Sequence, residues 1–129
     1  MPLTFSKNER LHELRSIRIL FAEGKFFSIP PLKVAWLNFK ENTRTSCRLM
    51  ISVPKAMQKK STDRNILKRR IREAYRINKS ILNDSGSAKP AQLTFCITYT
   101  SKEILTYRAI QDKIILLLRR LKEECEKDF

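Results

Sequence analysis

Lys55-Ala56-Met57-Gln58-Lys59-Lys60-Ser61-Thr62-Asp63-Arg64-Asn65-Ile66-Leu67-Lys68-Arg69-Arg70-Ile71-Arg72-Glu73-Ala74-Tyr75-Arg76 concentrates the charge of the chain. Residues 55 to 79 hold ten Lys or Arg against two acids, a net +8 out of +14 for all 129 residues. Ser61, Thr62 and Asp63 are helix-starting residues, and neither Gly nor Pro follows until Gly86, which predicts a helix over about 62 to 82. At about 100° per residue, Leu67, Ile71, Ala74, Asn78 and Ile81 share one side. Arg64, Asn65, Lys68, Arg69, Arg72, Arg76 and Lys79 fill an arc of roughly 140° on another. A merely solubilising stripe would interleave acids, and only Asp63 and Glu73 are available. A cationic face of this kind suits a polyanion, of which nucleic acid is the commonest.

On either side of this helix the periodicity changes to two. Cys47 to Val53 alternates Cys47, Leu49, Ile51 and Val53 against Arg48, Met50 and Ser52, and Leu93 to Tyr99 alternates Leu93, Phe95, Ile97 and Tyr99 against Thr94, Cys96 and Thr98. Both read as strands. Leu32 to Phe39 reads as another, joined through a polar turn, Glu41 to Ser46, to the Cys47 strand in an expected antiparallel hairpin. Ser16 to Ala22 reads as a short helix with Ile17, Leu20 and Phe21 apolar and Gly24 placed to end it. Phe26 to Pro31 reads as a turn-like connection, and Asn83 to Pro90 is a loop by composition. A last helix starts at a Thr106 cap, with Ile110, Ile114, Leu117, Leu118 and Leu121 at helical spacing. The order is α-β-β-(β)-α-β-α, an α+β two-layer sandwich in which helices cover one side of a small mixed β-sheet.

Length and composition set the outer bounds. A chain of 129 residues and 15.2 kDa fits one domain, 1 to 129, and 42% hydrophobic content is enough to fold it. No apolar run approaches the length of a bilayer crossing, and Met1 to Glu23 is charged throughout, unlike a signal peptide. A cytoplasmic location is expected. Cys47, Cys96 and Cys125 form no CxxC pair and lie far from the lone His12, so neither a disulfide framework nor a metal site on side chains alone follows. Cys47 and Cys96 read as small buried strand residues, and Cys125 as a surface residue. No nucleophile, acid and base come together in the sequence, and the acids Glu9, Glu13, Glu41, Asp63 and Asp84 are scattered, which argues against a self-contained nuclease. A DNA reader built on the basic helix is disfavoured because strand-like residues, rather than a turn-linked helix, precede it.

Arg64-Asn65-x-x-Lys68-Arg69-x-x-Arg72-Glu73 resembles the signature of the bacterial ribonuclease P protein component. Arg48-Leu49-Met50-Ile51-Ser52-Val53-Pro54-Lys55 resembles the strand that leads into that family's basic helix. Phe5-Ser6-Lys7-Asn8-Glu9-Arg10-Leu11, followed by Leu20-Phe21-x-x-Gly24, is similar to its opening. The resemblance spans residues 4 to about 122. It implies a ribosomal protein S5 domain 2-like fold with a βαβ crossover carrying the basic helix. It also implies a protein cofactor of the ribonucleoprotein that removes the 5′ leader from precursor tRNA. The catalytic centre and its Mg2+ would lie mainly with the RNA subunit and substrate, where positioning and metal charge do most of the work. The implied partners are the catalytic RNA and precursor tRNA, with no membrane and no protein partner required.

Carried over by position, the resemblance implies that Arg64, Asn65, Lys68, Arg69, Arg72 and Arg76 contact the catalytic RNA, with Arg48, Lys59 and Lys60 as further phosphate contacts. Asn65 reads either as an amide that fixes the helix start or as a base reader. Glu73 is expected to pair with Arg69 or Arg76. The cleft implied for the single-stranded leader is lined by Ile17, Phe21, Trp36, Met50, Ser52 and Lys55. Phe21 and Trp36 read either as stacking platforms or as core. Ile17 stands where the family often has an aromatic, Met50 where it has glycine and Ala56 where a second lysine often follows Lys55. The rival reading is a ribosomal or other structural RNA-binding protein with no role in cleavage.

Overall fold

The computed structural model describes residues 14–38, 48–83 and 93–127. Its elements are α1 (Leu14–Glu23), β1 (Lys25–Ile29), β2 (Leu32–Asn38), β3 (Arg48–Ser52), α2 (Ser61–Asn78), α3 (Ser80–Asn83), β4 (Leu93–Tyr99) and α4 (Tyr107–Lys127). The strands form one mixed sheet in the order β1-β2-β4-β3. β4 is buried at every position except Thr98, so it takes a central place where both of its edges and both of its faces are covered. It pairs antiparallel with β2 and parallel with β3, and α2 supplies the crossover that a parallel pair requires.

The expected β2/β3 hairpin is therefore corrected: β4 lies between the two strands. The nine-residue link from 39 to 47 is too long to impose the pairing that a tight turn would. Residues Glu41 to Ser46, Cys47, His12 and the opening block from Phe5 to Leu11 lie outside the described residues, as does the loop after Asn83. Phe26 to Pro31 is also corrected. Lys25–Ile29 is a strand, with Phe27 turned inward, and only Pro30 and Pro31, joined by a cis peptide bond, make the turn into β2. Two prolines marked the turn correctly, but the strand before them is at the sheet edge and too short for its alternation to stand out.

One face of the sheet carries the main core. Leu32, Val34, Trp36, Leu49, Phe95, Ile97 and Tyr99 meet Leu67, Ile71, Ala74 and Tyr75 of α2 and all five apolar residues expected on α4. The Tyr75 ring stands edge-on to Phe95 with centroids 5.8 Å apart. Thr106 starts α4 as expected, its hydroxyl oxygen accepting from the Ala109 amide at 3.3 Å. Helices do not cover this side alone. α1 packs on the opposite face through Leu20, which meets Ala35 and Cys96, with Ile17, Leu37 and Met50 around them. The reason is parity: these strand residues alternate with the core set and leave a smaller apolar patch that one short helix closes.

Gly24 allows α1 to run straight into β1. Its amide donates to the Leu20 carbonyl at 2.8 Å, and a Cβ there would stand 2.3 Å from that oxygen and 2.9 Å from the Trp36 carbonyl. The basic helix is shorter than its sequence suggests. α2 begins with Lys60 as N-cap, making no side-chain capping bond, and ends at Asn78, with the four-residue α3 following after Lys79. The Asn78 amide donates to the Ala74 carbonyl at 2.8 Å, a side-chain bond that competes with helix continuation. Leu82 of α3 then joins the main core, while Asn78 and Ile81 are only partly buried.

Candidate nucleic-acid interface

α2 divides its surface in three. Leu67, Ile71, Ala74 and Tyr75 are buried, while Asn65, Arg69 and Arg72 are exposed and Lys68 half-buried on the far side. Among the described residues, Lys68, Arg69 and Arg72 make no ion pair or hydrogen bond. Three cations within two turns thus present uncompensated donors to solvent, Arg as planar forks and Lys as a point charge. The third strip holds Arg70, Glu73 and Ile77. Arg70 donates to the Leu105 carbonyl and so fastens α2 to the segment before α4.

Two of the expected contact residues are committed within the protein. Arg64 donates from Nη1 to the carbonyls of Gln58 and Lys59, both at 2.9 Å, and so ties the approach to α2 onto its first turn. At about 100° per residue Arg64 lies next to the azimuth of buried Tyr75, so its guanidinium starts at the margin of the core. Gln58, itself buried, donates to the Ser101 carbonyl at 3.1 Å and anchors the same turn to the segment beyond β4. Arg76 grips Glu73 with bonds of 3.0 and 2.5 Å, the i,i+3 partner expected for it. The Arg76 hydrogen bond holds the Glu73 carboxyl below the usual carboxylate range, opposed in part by burial and aided least by the charge of Arg76. Asn65 is exposed, and no side chain caps the helix start.

The second region is the sheet face that α1 partly covers. Strand register aligns Ser28, Lys33, Thr98 and Ser52 in one row across all four strands, and Phe26, Ala35, Cys96 and Met50 in the next. Leu20 and Ile17 close over the second row, leaving Ser28 and Lys33 exposed and Thr98 and Ser52 half-exposed. Four strands span about 14 Å between the outer two. The row presents hydroxyls and one ammonium, and the four strands contain no acid. Past Ser52 the chain passes through Val53 and Pro54 to exposed Lys55. At the opposite edge Phe26 is 63% exposed, and Phe21 on α1 is 47% exposed. Burial pushes the Cys96 thiol up, partly offset by its contact with the Thr98 hydroxyl at 3.7 Å.

Trp36 is not part of that face. It has the opposite parity, is 1% exposed and belongs to the main core, so it offers no ring for stacking. Lys25 stands over this ring, 5.3 Å from its centroid. Ile17, Phe21, Met50 and Ser52 do share the α1 side, while Arg48 stands half-buried in the row beyond Met50, and Lys59 and Lys60 are exposed before α2. Lys33, Phe26, Ser28 and Thr98 were not singled out in the sequence. Register alone groups them, although the alternation of β4 already put Thr98 on the polar side. Among the described residues no three His, Cys, Asp or Glu side chains come together to hold a metal ion, and no helix is long and apolar enough to cross a membrane.

A family model for ribonuclease P matches residues 5–122. The chain belongs to the ribonuclease P protein family. It is 35% identical over 112 residues to the ribonuclease P protein component of Porphyromonas gingivalis, covering 85% of this chain and 82% of that one. The ribonuclease P protein of Thermotoga maritima superposes with a TM-score of 0.69 at 28% identity, covering 87% of this chain and 96% of that one. A ribonuclease P protein mutant from Staphylococcus aureus, described as defective in mRNA degradation, gives 0.74 over 90% of both chains at 23% identity, a likeness of fold. The α+β architecture with its mixed four-stranded sheet is thus the architecture of ribonuclease P proteins, and the chain is a component of that enzyme.

Proposed function

We propose that this chain is the RNA-binding subunit of a cytoplasmic ribonucleoprotein that removes the 5′ leader from precursor tRNA, acting with the catalytic RNA and no second protein. The observation that carries this reading is the solvent face of α2, where Lys68, Arg69 and Arg72 lie together without an acid partner among the described residues. These cations bind the phosphates of the catalytic RNA and displace its counterions. Arg64 supports them by fixing the start of the helix, and Lys59 and Lys60 add charge beside it. The face under α1, from Ser52 and Lys55 past Met50 to Ile17 and Phe21, receives the single-stranded leader. The protein's own side chains carry no chemistry. Magnesium is held by the RNA and the substrate, and by concentrating the substrate the protein lowers the magnesium needed.

The test is cleavage of a 5′-extended precursor tRNA by a bacterial ribonuclease P RNA at low magnesium, with and without the protein, across a salt series. Protein-dependent cleavage at the mature 5′ end that fades as salt rises is expected. A folded protein that binds RNA but leaves cleavage by a cognate RNA unchanged would overturn the reading in favour of a structural RNA-binding protein.

A further inference from the structure

Phe26 is the most exposed large apolar side chain among the described residues, and the register places it at the β1 end of the row formed by Ala35, Cys96 and Met50, next to the polar row that holds Lys33. We propose that single-stranded RNA crosses the sheet along Ser52, Thr98, Lys33 and Ser28 and that its far end stacks on Phe26 at the β1 edge. The inference rests on the leader-binding reading above and extends it by naming the path and four residues beyond the cleft, Thr98, Lys33, Ser28 and Phe26.

Three observations converge. The row runs across every strand, so a chain entering at Ser52 and Lys55 meets hydrogen-bonding groups all the way to the opposite edge. Hydroxyls suit the 2′-hydroxyls and phosphates of RNA, and the Lys33 ammonium is placed for one phosphate between them. No acid in the strands opposes a polyanion on this path. α1 stops short of the row, because its apolar contacts are Leu20 over Ala35 and Cys96 and Ile17 beside Leu37 and Met50. An aromatic ring open to solvent at the end of a cationic, hydroxyl-lined path offers a platform to any base, since every base has a π-face. Stacking at Phe26 therefore needs no particular leader sequence, but it does need a leader long enough to cross the sheet.

The experiment uses the full chain assembled with the ribonuclease P RNA and precursors carrying leaders of increasing length, with binding measured for wild type, Phe26→Ala, Phe26→Leu, Phe26→Trp and Lys33→Gln. Circular dichroism verifies that each variant is folded. For long leaders Phe26→Ala and Phe26→Leu are expected to weaken binding about five- to tenfold, with Phe26→Trp close to wild type, because an aromatic face and not apolar bulk is required. Lys33→Gln should lose affinity for the same long leaders and flatten the salt dependence. Short leaders and mature tRNA should bind all five proteins alike. The proposal is overturned if wild type gains affinity with leader length and Lys55→Ala removes part of that gain while every Phe26 variant matches wild type. It is also overturned if Phe26→Ala weakens binding equally with and without a leader. Absence of any leader-dependent gain in wild type would instead overturn the leader-binding reading on which the path depends.

Discussion

The two faces of the sheet use the same strands for opposite ends. Trp36 and Phe26 are aromatic residues on neighbouring strands, yet one is 1% exposed under α2 and α4 and the other 63% exposed on the α1 side. Their pairing partners explain the difference. Trp36 lies opposite Lys25 and Phe95, within a set continuous with the apolar faces of two long helices, whereas Phe26 lies opposite Ala35, at the margin of what one ten-residue helix reaches. A deep core needs apolar residues from several elements at once, while a surface left half-covered keeps room for a ligand. The main core holds the fold while the α1 face keeps exposed polar residues, so on the proposed function substitutions on the two faces should separate stability from RNA binding.

The largest effect is expected from Trp36→Ala, which opens a cavity in the main core and should cost about 3–5 kcal/mol in urea unfolding. Any loss of RNA affinity should then follow the fraction unfolded, and a stable variant with selective loss of leader binding would break the contrast. Leu20→Ala removes the residue that docks α1, and about 2–3 kcal/mol is expected for this smaller cluster. Hydrogen exchange should show α1 opening while β4 and α4 stay protected; uniform loss of protection would mean that the two faces unfold as one. Arg64→Ala should cost about 1 kcal/mol through its lost bonds to Gln58 and Lys59. It should weaken RNA binding more than one phosphate contact would, because the start of α2 loosens.

Lys68→Ala, Arg69→Ala and Arg72→Ala combined should leave stability within about 0.5 kcal/mol, since none of these side chains has a partner among the described residues to lose. Assembly with the catalytic RNA should nevertheless weaken, with the slope of log affinity against log salt shallower by about 2–3. Unchanged assembly would remove α2 from the interface. The smallest effect concerns Cys96, whose thiol burial pushes up. A raised folded value means that its contribution to stability is complete below the ordinary thiol range and lost as pH rises through the folded value. Cys96 is buried beneath Leu20, so thiol reagents at neutral pH should label it only when α1 opens or the chain unfolds.

Much of the architecture is legible residue by residue. The alternation of Leu49 and Ile51 with Met50 and Ser52, the spacing of Ile110 to Leu121, and Leu20 with Gly24 each report a local geometry that burial then selects. The cationic face of α2 is legible for the same reason, because a helix displays its charges at a fixed angular increment. Lys68, Arg69 and Arg72 fall where that increment puts them. Arg64 and Arg76 follow it too, but their hydrogen-bonding commitments depend on Gln58, Lys59 and Glu73.

Local pattern by itself determined which segments are helices or long strands, where the charge concentrates, and which family signature the basic helix carries. Only the tertiary structure decided that β4 separates β2 from β3, that α1 takes the face opposite α2, that Trp36 is core, and that Ser28, Lys33, Thr98 and Ser52 form one row. Periodicity along a strand distinguishes its two sides but does not say which neighbour it will have or which side a helix will choose. Those choices are settled by non-local packing, where the most apolar strand claims the centre and the remaining elements cover what is left.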